Sequence, residues 1–153
     1  KILSGTKLKG ALDGEAIELI EGKVKTDHPK FWSASGTPML SEKSVNVLTK
    51  IISDDAEIIK LNSPDEHYYL LNIVKVLDAI DYDKSTFEKL KTGLVIGLES
   101  YALIPDVVEG HNIFKLLLNN RVMSTEVFVS DKFKNEVEKS NLIGFKFIEV
   151  WSN

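Results

Sequence analysis

Apolar residues in this chain come in short, interrupted runs, such as Leu94 to Ile96 and Ile113 to Leu118. None approaches the ~20 residues that a membrane-spanning helix requires. Runs of that kind are what sheet segments look like, bounded by turn residues and closed against a few amphipathic helices. The segmentation therefore points to an α+β fold: a mostly antiparallel, twisted sheet with two main helices packed on it.

The 153 residues suit one domain, 1–153, able to bury a sizeable core, roughly 70% of its unfolded surface. Apolar residues are 43% and charged residues 27% of the chain, too apolar for a disordered one. There is no cysteine, which removes disulfide frameworks, thiolate zinc sites and a cysteine nucleophile together. That is compatible with a reducing cytosol. The net charge is −4, and Arg121 is the single arginine among 19 basic residues. Lysines lie interspersed with carboxylates, whereas a nucleic-acid binder concentrates positive charge to replace phosphate counterions. Nucleic acid is excluded as the expected partner. The chain opens on Lys1 rather than Met, as a truncated one would, so the lack of a leader says nothing of residence.

Along the chain, the first segment to Asp27 has short apolar patches and glycines at 5, 10, 14 and 22, which predict short strands and turns. Residues 28–38 contain two prolines and a glycine and stay irregular. A helix follows. Ser41 caps it, Glu42 and Lys50 suit its two ends, and Val45, Leu48, Ile51 and Ile52 form one apolar stripe. Asp54-Asp55 breaks the pattern. Glu57 to Asn62 and Tyr68 to Val76 read as an antiparallel hairpin, with Asp78 to Tyr82 as a further strand or its bent continuation.

Ser85-Thr86-Phe87-Glu88 matches a capping box, so residues 85–93 suit either a short helix or a strand turning at Lys91-Thr92-Gly93 into Leu94 to Leu98. Ile113 to Leu118 and Glu126 to Val129 read as strands around an Asn119-Asn120 turn. Ser130 caps a second helix over Asp131 to Ser140, with Phe133 and Val137 as an apolar pair and Lys132–Glu136 and Lys134–Glu138 as exposed ion pairs. Asn141 and Gly144 stop it. Phe145 to Trp151 closes as a strand that is apolar on both faces, as a central or covered strand is.

Candidate chemistry is thin. His28, His67 and His111 are the histidines, and none has the helical spacing that puts two imidazoles on one metal. His67 beside Asp65 and Glu66, or His111 near Asp106 and Glu109, has the residue types of a base with an orienting carboxylate, although solvated turns have them too. Asp78, Asp81 and Asp83 crowd as a cation site would, without the glycine and distal glutamate of a calcium loop, and Asp78 and Asp83 equally suit turn caps. No phosphate-binding glycine loop or serine elbow is present. No catalytic residue, metal ligand or cofactor is expected. For a protein partner, the candidate contacts are Phe31 and Trp32, rigid aromatics in a proline-flanked segment, which equally could plug the core. Asp65 and Glu66, with the other acidic loops at Asp54-Asp55 and Asp106 to Glu109, could steer a basic partner.

The order of several short runs is more specific than any one of them. These are Ser33 to Glu42, Tyr68 to Ile73, Asp78 to Asp81 with Lys84-Ser85, His111 to Leu116, Val127 to Asp131, and Asn141 to Phe147. This succession resembles the immunity protein 11 family, earlier catalogued as a bacterial domain of unknown function, over roughly residues 33 to 151. The resemblance implies a cytoplasmic, non-enzymatic α+β protein that binds the cognate domain of a polymorphic toxin and protects the producing cell or its kin. It also favours the strand at Thr86 to Leu90. Position 115 is Lys where the family commonly has arginine. No binding residue carries over, because the shared runs set backbone geometry and fill the sheet. The competing expectations are a small hydrolase or nuclease using His67 or His111, and a non-catalytic subunit of an unrelated complex.

Overall fold

The computed structural model describes residues 5–8, 26–29, 36–62 and 67–152. The strands and turns expected before Asp27 fall mostly outside that set.

Three strands form the first sheet: β1 (Met39–Ser41), β2 (Ala56–Leu61) and β3 (Tyr68–Ile73), in the order β1-β3-β2 and antiparallel throughout. The two-residue period sorts their side chains. Leu40, Ala56, Leu71 and Ile73 face the helices, whereas Met39, Ile59, Leu61 and Leu70 form a smaller cluster on the opposite face with Leu8 against it. Helix α1 (Glu42–Ile52) starts as its sequence dictates, with Ser41 Oγ accepting the Ser44 amide at 3.2 Å. Its buried face is Ser44, Leu48 and Ile52, flanked by half-buried Val45 and Ile51.

The strand expected from Tyr68 to Val76 is broken. The amides of Val74 and Lys75 both donate to the Asp55 carbonyl, at 2.9 and 3.0 Å, and this turns the chain out of the first sheet. The next two residues, β4 (Val76–Leu77), belong to a second sheet centred on β7 (Ile113–Leu118). β4 and β7 are parallel, pairing Val76 with Lys115. The other partners of β7 are antiparallel: β8 (Arg121–Val122) and β9 (Phe128–Val129). Asn119 and Asn120 adopt φ of 50° and 60°, the left-handed pair of a tight hairpin turn. The expected strand at Glu126 to Val129 shrinks to β9, because the Glu126 carbonyl is engaged by Lys115 instead of a ladder.

Parallel neighbours need a long crossover connection. Residues 78–112 supply it, carrying β5 (Thr86–Lys89), β6 (Val95–Ser100) and the one-turn helix α2 (Pro105–Val108). Strand, not helix, is the outcome at 86–89. The strand expected at Asp78 to Tyr82 reduces to one bridge, Ile80 to Leu103, since Asp81 opens a turn.

Helix α3 (Asp131–Lys139) is capped by Ser130, whose hydroxyl accepts the Phe133 amide at 3.2 Å, and it buries Phe133 and Val137 against the first core. Lys134 and Glu138 meet at 4.0 Å. Asn141 (φ 50°) and Gly144 (φ 94°) end the helix. The final strand expected at Phe145 to Trp151 does not form. Phe145 and Phe147 stack on each other and meet Phe133 edge-on, and Trp151 reaches the second core, while Ile148 stays 74% exposed. Aromatic packing on one side holds this segment without a backbone ladder among the described residues.

The architecture is α+β with mostly antiparallel strands and two main helices, as the sequence implies, but among the described residues the strands divide into three small sheets instead of one. No helix among the described residues is long and apolar enough to cross a membrane.

Candidate interaction surface

Several polar side chains are engaged in holding the fold. Asp55 is 2% exposed. Its Oδ1 lies 2.8 Å from His111 Nδ1, and its Oδ2 accepts the Asn112 and Ile113 amides at 2.8 and 3.4 Å. A carboxylate can only accept, so Nδ1 of His111 carries the proton. Asn112 continues the chain of contacts, donating to the Ile51 carbonyl and accepting from Ser130 Oγ, both at 2.9 Å. The network pins the end of α1, the start of β7 and the cap of α3 to one another. The acidic partner of His111 is thus Asp55, 56 residues earlier in the sequence, and Asp55 is buried where an exposed acidic loop was expected.

Asp27 makes a second junction. Its Oδ1 accepts from Ser41 Oγ at 2.8 Å and its Oδ2 from the Ile143 amide at 2.9 Å, with Lys43 Nζ 3.6 Å away. Burial pushes this carboxyl up, yet the Ile143 amide, the Ser41 hydroxyl and the Lys43 ammonium more than offset it and hold it below the usual aspartate value. Lys115 makes a third. Fully buried on β7, its ammonium donates to the carbonyls of Gly36, Ser124 and Glu126 at 3.0, 2.6 and 3.1 Å. Burial lowers its pKa to about 8, against the opposing pull of Glu126.

Of the remaining candidates, His67 is exposed at the start of β3. Phe31, Trp32, Asp65 and Glu66, the expected partner contacts, lie outside the described residues. Of the three clustered aspartates it is Asp81 that caps the turn, where Asp78 and Asp83 were expected to. Its Oδ1 accepts the Asp83 and Lys84 amides at 3.2 Å, and Oδ2 pairs with Lys84 Nζ at 3.1 Å. The Lys84 ammonium in turn holds the Asp81 carboxyl below its ordinary value. Among the described residues no group of acidic and histidine side chains is arranged to hold a metal.

What remains uncommitted is the β5–β6 hairpin. Its base is fixed firmly. Ser85 Oγ donates to the Ala102 carbonyl and accepts the Ala102 amide at 3.1 and 3.0 Å, and the hydroxyls of Thr86 and Ser100 meet at 2.7 Å. Phe87 and Leu98, opposite each other, pack on the second core. Tyr82 stacks on Phe87 with ring centres 5.4 Å apart, and its hydroxyl accepts the Asn119 amide at 2.9 Å. Beyond that point the apolar residues continue and the core does not. Leu90, Leu94 and Ile96 are 47, 61 and 49% exposed around the turn closed by Gly93 at φ 83°. The sequence suits a strand over Leu94 to Leu98, and nothing in the local pattern distinguishes Leu98, which reaches the core, from Leu94, which overhangs it.

Residues 56–152 match the model of an immunity protein family, Imm11. The match starts at β2, so the run at Ser33 to Glu42 that contributed to the resemblance precedes it. No curated protein matches the chain.

Proposed function

From the premise that this chain belongs to the immunity protein family Imm11, we propose that it binds the cognate domain of a polymorphic toxin and blocks it. It protects the producing cell or its kin from the cytoplasm, by occlusion and without chemistry of its own. The family match is the observation that carries this reading. The side chains support it: Asp27, Asp55, Lys115, Asn112 and Ser130 all serve as ties between elements. A protein that works by presenting a rigid surface needs such ties, and it leaves its loops for the partner.

The test is co-expression with the C-terminal domain of the toxin encoded directly beside the chain. The expected results are restored growth of cells making that domain and a stable complex on size exclusion. A chain that neither rescues those cells nor co-elutes with the domain is not its immunity protein.

The hydrolase reading has one observation in its favour, the 2.8 Å contact between His111 and Asp55. An imidazole oriented by a buried carboxylate is half of a base-and-nucleophile arrangement. Ser130, the hydroxyl tied into the same network, is occupied as the cap of α3 and as donor to Asn112. Any turnover that survives His67→Ala and His111→Ala together removes both histidines as catalysts.

A further inference from the structure

We propose that the β5–β6 hairpin and its flanks form the docking surface for the toxin domain, and that the surface it meets on the toxin is cationic. The inference rests on the immunity reading and adds the place and the chemistry of contact.

Two independent features of residues 78–112 carry it. The first is apolar exposure. Of the eight large hydrophobic residues exposed among the described ones, five lie here: Tyr82, Leu90, Leu94, Ile96 and Ile104. The hairpin that bears three of them is anchored at its base and uncovered at its tip by any described residue. Its two strands shift register twice, at Thr86/Phe87 and at Glu88/Lys89. Such bulges coil a ribbon and spoil its edge for strand pairing, which leaves the side chains as the means of recognition.

The second feature is the distribution of charge. Seven of the 23 acidic residues and three of the 19 basic ones fall between residues 78 and 112, so this stretch carries −4 and the rest of the chain is neutral. One of the three lysines, Lys84, is already paired with Asp81. Glu88, Glu99, Asp106 and Glu109 are exposed in this stretch, with Lys89 and Lys91 exposed at the hairpin turn. An apolar centre with a charged rim is the anatomy of a protein interface, and a predominantly acidic rim selects a basic partner. It also disfavours a second copy of this chain as the occupant, because two such faces repel. A neutral partner would gain nothing from the concentration of charge, whereas a cationic one gains a faster encounter that salt suppresses.

The experiment measures association of the chain with the neighbouring toxin's C-terminal domain by surface plasmon resonance across ionic strength. Two variants are used, Leu94→Asp/Ile96→Asp at the tip and Glu88→Lys/Glu99→Lys/Asp106→Lys on the rim. Circular dichroism and thermal melting establish that each is folded. The tip variant is expected to weaken binding a hundredfold or more, chiefly through dissociation. The rim variant is expected to slow association about tenfold at low salt and to flatten its salt dependence. Hydrogen exchange on the unmodified complex is expected to show new protection over residues 86–100, a readout that needs no variant.

Tight binding that ignores both variants, with protection elsewhere, overturns the docking surface and leaves the immunity reading intact. Tip sensitivity without rim or salt sensitivity overturns the cationic partner. Sedimentation of the free chain as a dimer that the tip variant dissolves assigns the face to self-association and also overturns the proposal. Failure of the unmodified chain to bind removes the immunity reading, and the docking proposal with it.

Discussion

Lys115 sits on the central strand of the second sheet, between Phe114 and Leu116, with no exposed surface. A buried ammonium is tolerated when its hydrogens are satisfied, and here three carbonyls from two separated loops do that. Gly36 shows how closely those loops approach: its φ is 77°, and a Cβ there would collide with the Ser124 and Thr125 backbone. Lys115→Met is therefore expected to cost roughly 2–4 kcal/mol in urea unfolding, by stranding three acceptors. The pH dependence has a definite sign. The folded pKa of about 8 lies below the 10.5 of an unperturbed lysine, so between these values the unfolded chain binds more protons. The Lys115 contribution to stability rises across that window, and the slope should be absent from Lys115→Met and so appear in the difference between wild type and variant. In the sequence this position is one polar residue inside an apolar run, and nothing local tells a buried donor from an exposed lysine.

At the scale of elements, local signals serve well where the chain supplies its own partners. Both main helices begin at the serines the sequence marks, because an N-cap bond spans only three residues. Ser130→Ala is expected to cost about 1–2 kcal/mol, more than an ordinary cap, since the same hydroxyl donates to Asn112. Thermal denaturation measures it, with Ser130→Thr as the conservative control. Local signals fail at Phe145 to Trp151. A doubly apolar run reads as a central strand, yet the structure holds it by aromatic contacts, with no backbone ladder among the described residues. Amides of residues 146–150 should accordingly exchange with solvent orders of magnitude faster than those of Ile113–Leu118. Protection equal to that of β7 would show that the segment is paired in solution.

For the whole molecule, the long-range ties matter most. Asp27 joins the segment at residues 26–29, the start of α1 and the loop after α3, over 116 residues of sequence at its farthest. Its carboxyl is depressed below the usual 3.8, so its contribution is present above that pH and is lost as pH falls through the folded value. Asp27→Ala is expected to lower stability by roughly 1–3 kcal/mol at pH 7, with the gap to wild type closing toward pH 2. Equal acid sensitivity in both proteins would remove Asp27 from that account. By itself the sequence determined the capped helices, the β2–β3 hairpin, the Asn119-Asn120 turn and the family. Each of these rests on hydrogen bonds or periodicities that span a few residues, or on the order of such runs. Tertiary structure alone decided that the described strands divide into three sheets, that β4 and β7 run parallel, and that His111 takes Asp55 as its partner. It also decided that Leu98 reaches the core while Leu94 does not. Those outcomes depend on which distant groups meet, and a pattern read along the chain does not encode that.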